Sequence, residues 1–130
     1  DRIERKRWLP ISAMFTLIGG IMIAYGVNNF GLAVSGAVLL FTGTNIWVPI
    51  TYAWVSESFP TRARVTGFAL ADGLGHIGGG VGLIAVGALL SSGQSILVMF
   101  LIIALFQIIS AAIAQLGPKT ANKRLDEVSP

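Results

Sequence analysis

Four long apolar segments separated by short polar ones dominate the pattern of the chain. The segments cover residues 8–27, 31–55, 65–90 and 96–116. Each reaches the length of about 20 residues that a helix needs to cross roughly 30 Å of hydrocarbon. The apolar runs are continuous rather than alternating, which favours helices over the strands of a membrane barrel. The pattern therefore predicts an all-α membrane protein with four transmembrane helices.

The polar segments set the arrangement of these helices. Residues 28–30 and 91–95 form two short connections, and residues 56–64 form a third. Short connections make sequence neighbours antiparallel and adjacent in a helical bundle. With four helices, the leading segment 1–7, the loop 56–64 and the tail 117–130 must then lie on the same side of the membrane.

The basic residues indicate which side this is. The nine lysines and arginines all lie in those three segments: Arg2, Arg5, Lys6, Arg7, Arg62, Arg64, Lys119, Lys123 and Arg124. Segments rich in Lys and Arg remain in the cytoplasm, according to the positive-inside rule. We therefore expect a multi-pass protein of the plasma or inner membrane, with both ends of the chain cytoplasmic.

Composition supports the membrane class and argues against several others. Hydrophobic residues make up 54% of the chain and charged residues 12%, whereas soluble domains carry about 25% charged residues. The net charge of +3 comes from clusters between apolar runs, not from a basic surface of the kind that binds nucleic acid. The chain has no cysteine, one histidine and no Walker sequence. We therefore expect no catalytic site, no metal, no cofactor and no nucleic-acid partner.

Among the four predicted helices, only the third carries a carboxylate and an imidazole. Asp72 and His76 are four residues apart and share one helix face, roughly 10 and 16 Å from Val65 at 1.5 Å per residue. An unpaired charge at this depth costs a few kcal/mol or more. The pair predicts either a proton-coupling or substrate-binding role, or a hydrogen-bonded packing pair. Asn45 in the second helix has the same two interpretations, substrate contact or interhelical bond.

Glycines are concentrated in the same third helix. They include two pairs spaced by four residues, Gly75 with Gly79 and Gly78 with Gly82. Small residues at this spacing let another helix backbone approach closely. We expect this surface to pack against a helix rather than to contact substrate.

Two charged segments resemble loop motifs of one transporter family. Residues 1–7 read DRIERKR, which resembles the D-R-x-G-R-R/K loop between the eighth and ninth helices of the major facilitator superfamily. Glu4 stands where the family has glycine. Residues 57–67 read ESFPTRARVTG, which is similar to the E-x-F-P-T-x-x-R-x-x-G loop between the tenth and eleventh helices of sugar porters and metabolite:proton symporters. The resemblance implies that the chain corresponds to helices 9–12 of a twelve-helix fold.

The family resemblance also implies a function. It points to the C-terminal part of a secondary active transporter that moves a sugar or an organic acid by alternating access, driven by protons. It further implies a cytoplasmic gating network of charge-assisted hydrogen bonds, formed by Asp1, Arg2, Arg5, Arg7, Glu57, Arg62 and Arg64. The alternative is that these are solvated loop charges that set topology.

Four helices are only part of a transporter of this kind, because substrate lies between two six-helix halves. The expected partners are the lipid bilayer, the missing N-terminal helices of the same transporter, a small-molecule substrate and protons. A different class also fits four helices, namely a self-contained membrane protein that is a small oligomeric exporter or a structural subunit. Such an exporter should carry a carboxylate in its first helix, and residues 8–27 contain none.

Overall fold

The computed structural model describes residues 4–120. Four long helices make up this part of the chain: α1 (Trp8–Tyr25), α2 (Phe30–Glu57), α3 (Arg64–Ser91) and α4 (Ile96–Gln115). Short 3₁₀ turns at Arg5–Arg7 and Gly26–Asn28 precede and follow α1. All four helices are long and apolar enough to cross a membrane. The predicted all-α architecture is confirmed, and Asp1 and Arg2 of the predicted gate lie outside the described residues.

Polar side chains form the N-caps of α2 and α4, in the two connections that contain no basic residue. The Asn29 side chain accepts a hydrogen bond from the backbone N–H of Leu32 at 3.2 Å, at the first turn of α2. Ser95 does the same for Val98 at 3.4 Å, at the start of α4. Both residues satisfy N–H groups that have no partner within their helix. Gly93, between α3 and α4, has a φ of 81°, which favours glycine at this turn.

A close backbone contact joins α1 and α2. A Cβ atom on Gly19 would lie 2.6 Å from the carbonyl oxygen of Gly36, and one on Gly36 would lie 2.7 Å from that of Gly19. Small residues that recur every seven positions line both sides of this contact: Ser12 and Gly19 on α1 and Gly26 directly after it, with Gly36 and Gly43 on α2. A spacing of seven keeps residues on one face of a helix. The two antiparallel helices therefore pack backbone to backbone.

A buried serine joins three helices along this contact. The Ser12 hydroxyl on α1 donates to the carbonyl oxygen of Gly43 on α2 at 2.6 Å. It also accepts from the side-chain amide of Gln107 on α4 at 3.4 Å. Ser12 is fully buried, so water does not replace these bonds. The hydroxyl thus contributes to the packing of α4 against the α1–α2 pair.

Removal of this hydroxyl is expected to lower the stability of the helix bundle. For Ser12→Ala we expect a loss of about 0.6 to 1.7 kcal/mol, the range measured for side-chain hydrogen bonds between membrane helices. Reversible unfolding in mixed detergent measures this change in the free energy of unfolding. Ser35→Ala is the matched control, because the exposed Ser35 hydroxyl bonds only to Gly31 of its own helix. Equal losses in both variants would contradict the three-helix role.

Helix α3 lies apart from the packed core. None of its residues is buried, whereas α1, α2 and α4 all contain buried residues. Cβ atoms built on Gly75, Gly78, Gly79 and Gly82 would meet nothing within 4 Å. The glycine surface therefore has no neighbour among residues 4–120. Its predicted role in helix packing stays a prediction, which concerns a helix outside this part of the chain.

Candidate functional site

At one end of the bundle α1 begins, α2 ends, α3 begins and α4 ends. We call this the basic end, made up of residues 4–8, 54–66 and 114–120. Here the Arg5 guanidinium Nη1 donates to the Glu57 carboxylate Oε1. The two side chains are only 25% and 21% exposed. A partly dehydrated ion pair of this kind is less screened by water and salt than one on an open surface, and it ties the start of α1 to the end of α2.

Three further predicted gate residues within residues 4–120, Arg7, Arg62 and Arg64, show no bond to this ion pair. Arg64 holds the loop between α2 and α3, since its Nε donates to the carbonyl oxygen of Ser56 at 3.0 Å and its Nη2 to that of Phe59 at 3.4 Å. Arg7 and Arg62 are exposed. Of the predicted gate residues that the structure describes, it brings together Arg5 and Glu57. The second oxygen of Glu57, Oε2, is buried without a hydrogen-bond partner among residues 4–120.

An open groove of about 540 Å³ lies between α2 and α3. Its polar lining consists of Thr51 and Tyr52 on α2, with Asp72 and His76 on α3. The rest of the lining is apolar or glycine: Val55, Phe68, Ala71, Gly75, Gly79, Gly80 and Leu83. The Tyr52 and Phe68 rings meet edge to face with centroids 5.3 Å apart. This aromatic pair lies in the part of the groove nearest the basic end.

The Asp72 carboxylate has partners on both helices. The Tyr52 hydroxyl of α2 is close enough to interact with it across the groove. The Nδ1 atom of His76 lies 2.9 Å from the carbonyl oxygen of Asp72 and 3.5 Å from its Oδ2. Because Nδ1 faces two acceptors it carries a proton, so Nε2 of a neutral imidazole is the hydrogen-bond acceptor. His76 is 73% exposed and Asp72 32%, so the imidazole is the more accessible of the two.

Asn45 does not belong to this groove. Its side-chain amide donates to the carbonyl oxygen of Phe41 in its own helix at 2.8 Å, and the residue is exposed. The structure therefore brings Asp72 and His76 together and leaves Asn45 separate. Within residues 4–120, no three His, Asp or Glu side chains lie close enough to hold a metal ion.

Tyr52 was not predicted as a partner of Asp72, although the sequence contains a signal for it. Helices α2 and α3 are joined by a short loop, so residues at similar distances from the loop lie opposite each other. Tyr52 is five residues before Glu57, where α2 ends, and Phe68 is four residues after Arg64, where α3 begins. This count predicts the aromatic pair and places Asp72 one turn further along α3.

Four apolar helices with a charged end make this chain a multi-pass membrane protein. A sequence model of the Major Facilitator Superfamily matches residues 1–129. The chain belongs to the major facilitator superfamily, which confirms the resemblance carried by residues 1–7 and 57–67.

Three similar proteins carry provisional names as transporters. YyaJ of Bacillus subtilis (strain 168), named as a metabolite transport protein, is 29% identical over 125 residues, which cover 96% of this chain and 28% of YyaJ. NiaP of the same organism, named as a niacin/nicotinamide transporter, is 27% identical over 123 residues, covering 93% and 30%. YdjK of Escherichia coli (strain K12), named as a metabolite transport protein, is 30% identical over 138 residues, covering 99% and 28%. The chain thus spans less than a third of the length of each relative. No solved structure matches it significantly.

Proposed function

We propose that this chain forms helices 9–12 of a secondary active transporter that moves a small metabolite, a sugar or an organic acid, by alternating access. The Arg5–Glu57 ion pair carries the proposal, because it joins the two segments that resemble the loop motifs of the family. The names of the three relatives support a metabolite as cargo. The family match over residues 1–129 favours a transporter segment over a self-contained four-helix exporter or structural subunit.

In this proposal the basic end faces the cytoplasm, as the positive-inside rule predicts for its cations. The Arg5–Glu57 pair then acts as a latch of the cytoplasmic gate. When the pair is formed, it holds the start of α1 against the end of α2 and favours the closed cytoplasmic side. A charge-assisted hydrogen bond contributes about 1.5–3 kcal/mol, which is enough to bias a two-state equilibrium without locking it. Arg64 contributes by fixing the loop that joins α2 to α3.

The groove between α2 and α3 supplies the proposed site for protons and substrate. Its apolar lining suits the carbon skeleton of a small metabolite, and its few polar groups can fix the orientation. Asp72 supplies a carboxylate and His76 an imidazole, two groups suited to proton exchange, and Tyr52 lines the groove beside them. The exposed amide oxygen of Asn45 remains available to substrate, or to a helix outside this chain.

Asp72→Asn is expected to uncouple uptake from the proton gradient. Asparagine keeps the size of the side chain and an acceptor for the Tyr52 hydroxyl, but it does not bind or release a proton. In proteoliposomes that contain the complete transporter, an imposed pH gradient should no longer drive accumulation. Exchange of substrate at equal pH should persist. Sugars and organic acids, with nicotinate and nicotinamide, form the substrate panel.

Asp72→Glu is the matched control for this experiment, because it retains a titratable carboxylate at the same position. It should keep a response to the pH gradient, even if the rate falls. The coupling role is contradicted if Asp72→Asn accumulates substrate with the same pH dependence as the unaltered transporter.

A further inference from the structure

Lys6 is the one charged residue that is buried within residues 4–120, with 7% of its surface exposed. Its ammonium donates to the carbonyl oxygens of Gln115 at 2.8 Å and Gly117 at 2.6 Å. Helix α4 ends at Gln115, so these carbonyls have no helical N–H partner and lie at the negative end of the helix dipole. The contact satisfies the buried ammonium and the end of α4 together.

The last residue of α4 and the residues that follow it also bind residues 4–6 and the end of α2. The Gln115 side-chain amide donates to the carbonyl oxygen of Lys6 at 2.8 Å, and the backbone N–H of Thr120 donates to the Glu4 carboxylate at 3.0 Å. The Trp54 indole N–H donates to the carbonyl oxygen of Pro118 at 3.0 Å. We call residues 115–120 the C-terminal strap. The strap is therefore held by residues 4–6 and by the end of α2.

The side chains of the short 3₁₀ helix at Arg5–Arg7 point in three different directions. With three residues per turn, successive side chains diverge by about 120°. Lys6 points to the end of α4, Arg5 points to Glu57 on α2, and Arg7 is exposed. Because Lys6 is held both through its ammonium and through its backbone carbonyl, the direction of Arg5 is fixed as well.

We propose that Lys6 is a positioning residue for the gate, which binds the C-terminal strap and thereby aims Arg5 at Glu57. This inference rests on the proposed transport function and adds the end of α4 to the cytoplasmic gate. It requires that strap docking and the Arg5–Glu57 pair depend on each other. One structural and one functional measurement test this dependence.

The structural measurement follows the strap without the need for a substrate. This chain contains no cysteine, so Lys119→Cys in the complete transporter, with any cysteines elsewhere replaced, gives a single site for a bimane fluorophore. Trp54 touches the neighbouring Pro118 and should quench the fluorophore. Lys6→Gln should abolish the quenching and bring the fluorescence to the level of Trp54→Phe, whereas Lys6→Arg should retain it. Quenching that persists in Lys6→Gln would overturn the proposal, whatever the protein transports.

The functional measurement is a double-substitution cycle on the initial rate of transport. Lys6→Gln should lower the rate about tenfold, the equivalent of one charge-assisted hydrogen bond. It should cause no further loss when Glu57→Gln is already present, because the gate is then already broken. Lys6→Arg keeps the positive charge that binds the end of α4 and should retain most of the rate.

Two functional outcomes would contradict the positioning role. One is a normal rate in Lys6→Gln. The other is a double variant whose rate falls by the product of the two single losses, which would show that Lys6 and Glu57 act independently. If Lys6→Gln does not reach the membrane, Gln115→Met replaces it, since it removes only the amide that binds the Lys6 carbonyl. Gln115→Met should give a smaller loss with the same dependence on Glu57, and a loss independent of Glu57 would overturn the proposal.

Discussion

Gly36→Leu is expected to separate α1 from α2 and to prevent normal folding of the bundle. A Cβ atom on Gly36 would lie 2.7 Å from the Gly19 carbonyl oxygen and 2.9 Å from the backbone nitrogen of Ile23. These are backbone atoms, so they do not move aside as a flexible side chain would. Overpacking of a well-packed core costs about 1–3 kcal/mol and occasionally more. The measurement is the yield of monodisperse protein by fluorescence-detected size-exclusion chromatography, followed by its melting temperature.

A graded series tests the geometric cause of this effect. Gly36→Ala adds only the Cβ atom and should produce a smaller loss of the same kind. Gly31→Ala is the matched control on α2, because its Cβ would have one neighbour, the Asn29 side chain at an ordinary 3.6 Å. Alanine also favours helix over glycine by about 1 kcal/mol, so Gly31→Ala should be neutral or stabilising. If Gly36→Leu folds as well as Gly31→Ala, the backbone contact between α1 and α2 does not hold the bundle.

Glu57→Gln is expected to reduce transport by the complete protein about tenfold to a hundredfold. The substitution removes the charge that binds Arg5 and leaves a partly buried guanidinium without its carboxylate. The loss of a charge-assisted bond of about 1.5–3 kcal/mol changes the ratio of closed to open gate by that factor. Initial rates of uptake in proteoliposomes, normalised to the amount of transporter, measure the effect. Arg5→Gln should give a loss of similar size.

The exchanged pair is the control that separates a gate from a general requirement for charge. Arg5→Glu combined with Glu57→Arg restores an ion pair between the two positions and should recover part of the activity that either single substitution loses. Lys119→Gln, which removes an exposed charge at the same end of the bundle, should transport normally. Single variants with normal rates would show that the two side chains are loop charges that set topology, as the alternative interpretation holds.

The pattern of apolar residues was enough to predict the helices, and the motifs at residues 1–7 and 57–67 were enough to predict the family. Hydrocarbon thickness fixes the length of a spanning helix, so residues 8–27, 31–55, 65–90 and 96–116 carried the information directly. The Asp72–His76 pair was also predictable, because a spacing of four places both on one face, and the structure has them 3.5 Å apart. These features depend on distances along one helix.

Features that depend on how two helices meet were not predicted. The sequence pointed to Gly75 and Gly79 as a packing surface, which stays a prediction, whereas the close backbone contact between Gly19 and Gly36 was not predicted. Glycines in all of these helices look alike in sequence, because only the position of a neighbouring helix shows which of them make a close contact. Arg64 was predicted as a gate residue, which stays a prediction, and its bonds to backbone carbonyls of its own loop were not foreseen. The local path of the loop determines which atoms Arg64 can reach, and the charge pattern of the sequence does not reveal that path.

Access to the groove from the basic end tests the gate most directly, and it needs no knowledge of the substrate. Ala71 lines the groove between α2 and α3, and this chain contains no cysteine, so Ala71→Cys provides a unique reporter in this segment. In inside-out vesicles that contain the complete transporter, a membrane-impermeant maleimide then reports how often the cytoplasmic side opens. The account predicts that Glu57→Gln raises the labelling rate of this cysteine about tenfold or more, and that Lys119→Gln does not. Equal labelling rates with and without Glu57→Gln would contradict the claim that the Arg5–Glu57 pair holds the cytoplasmic side closed.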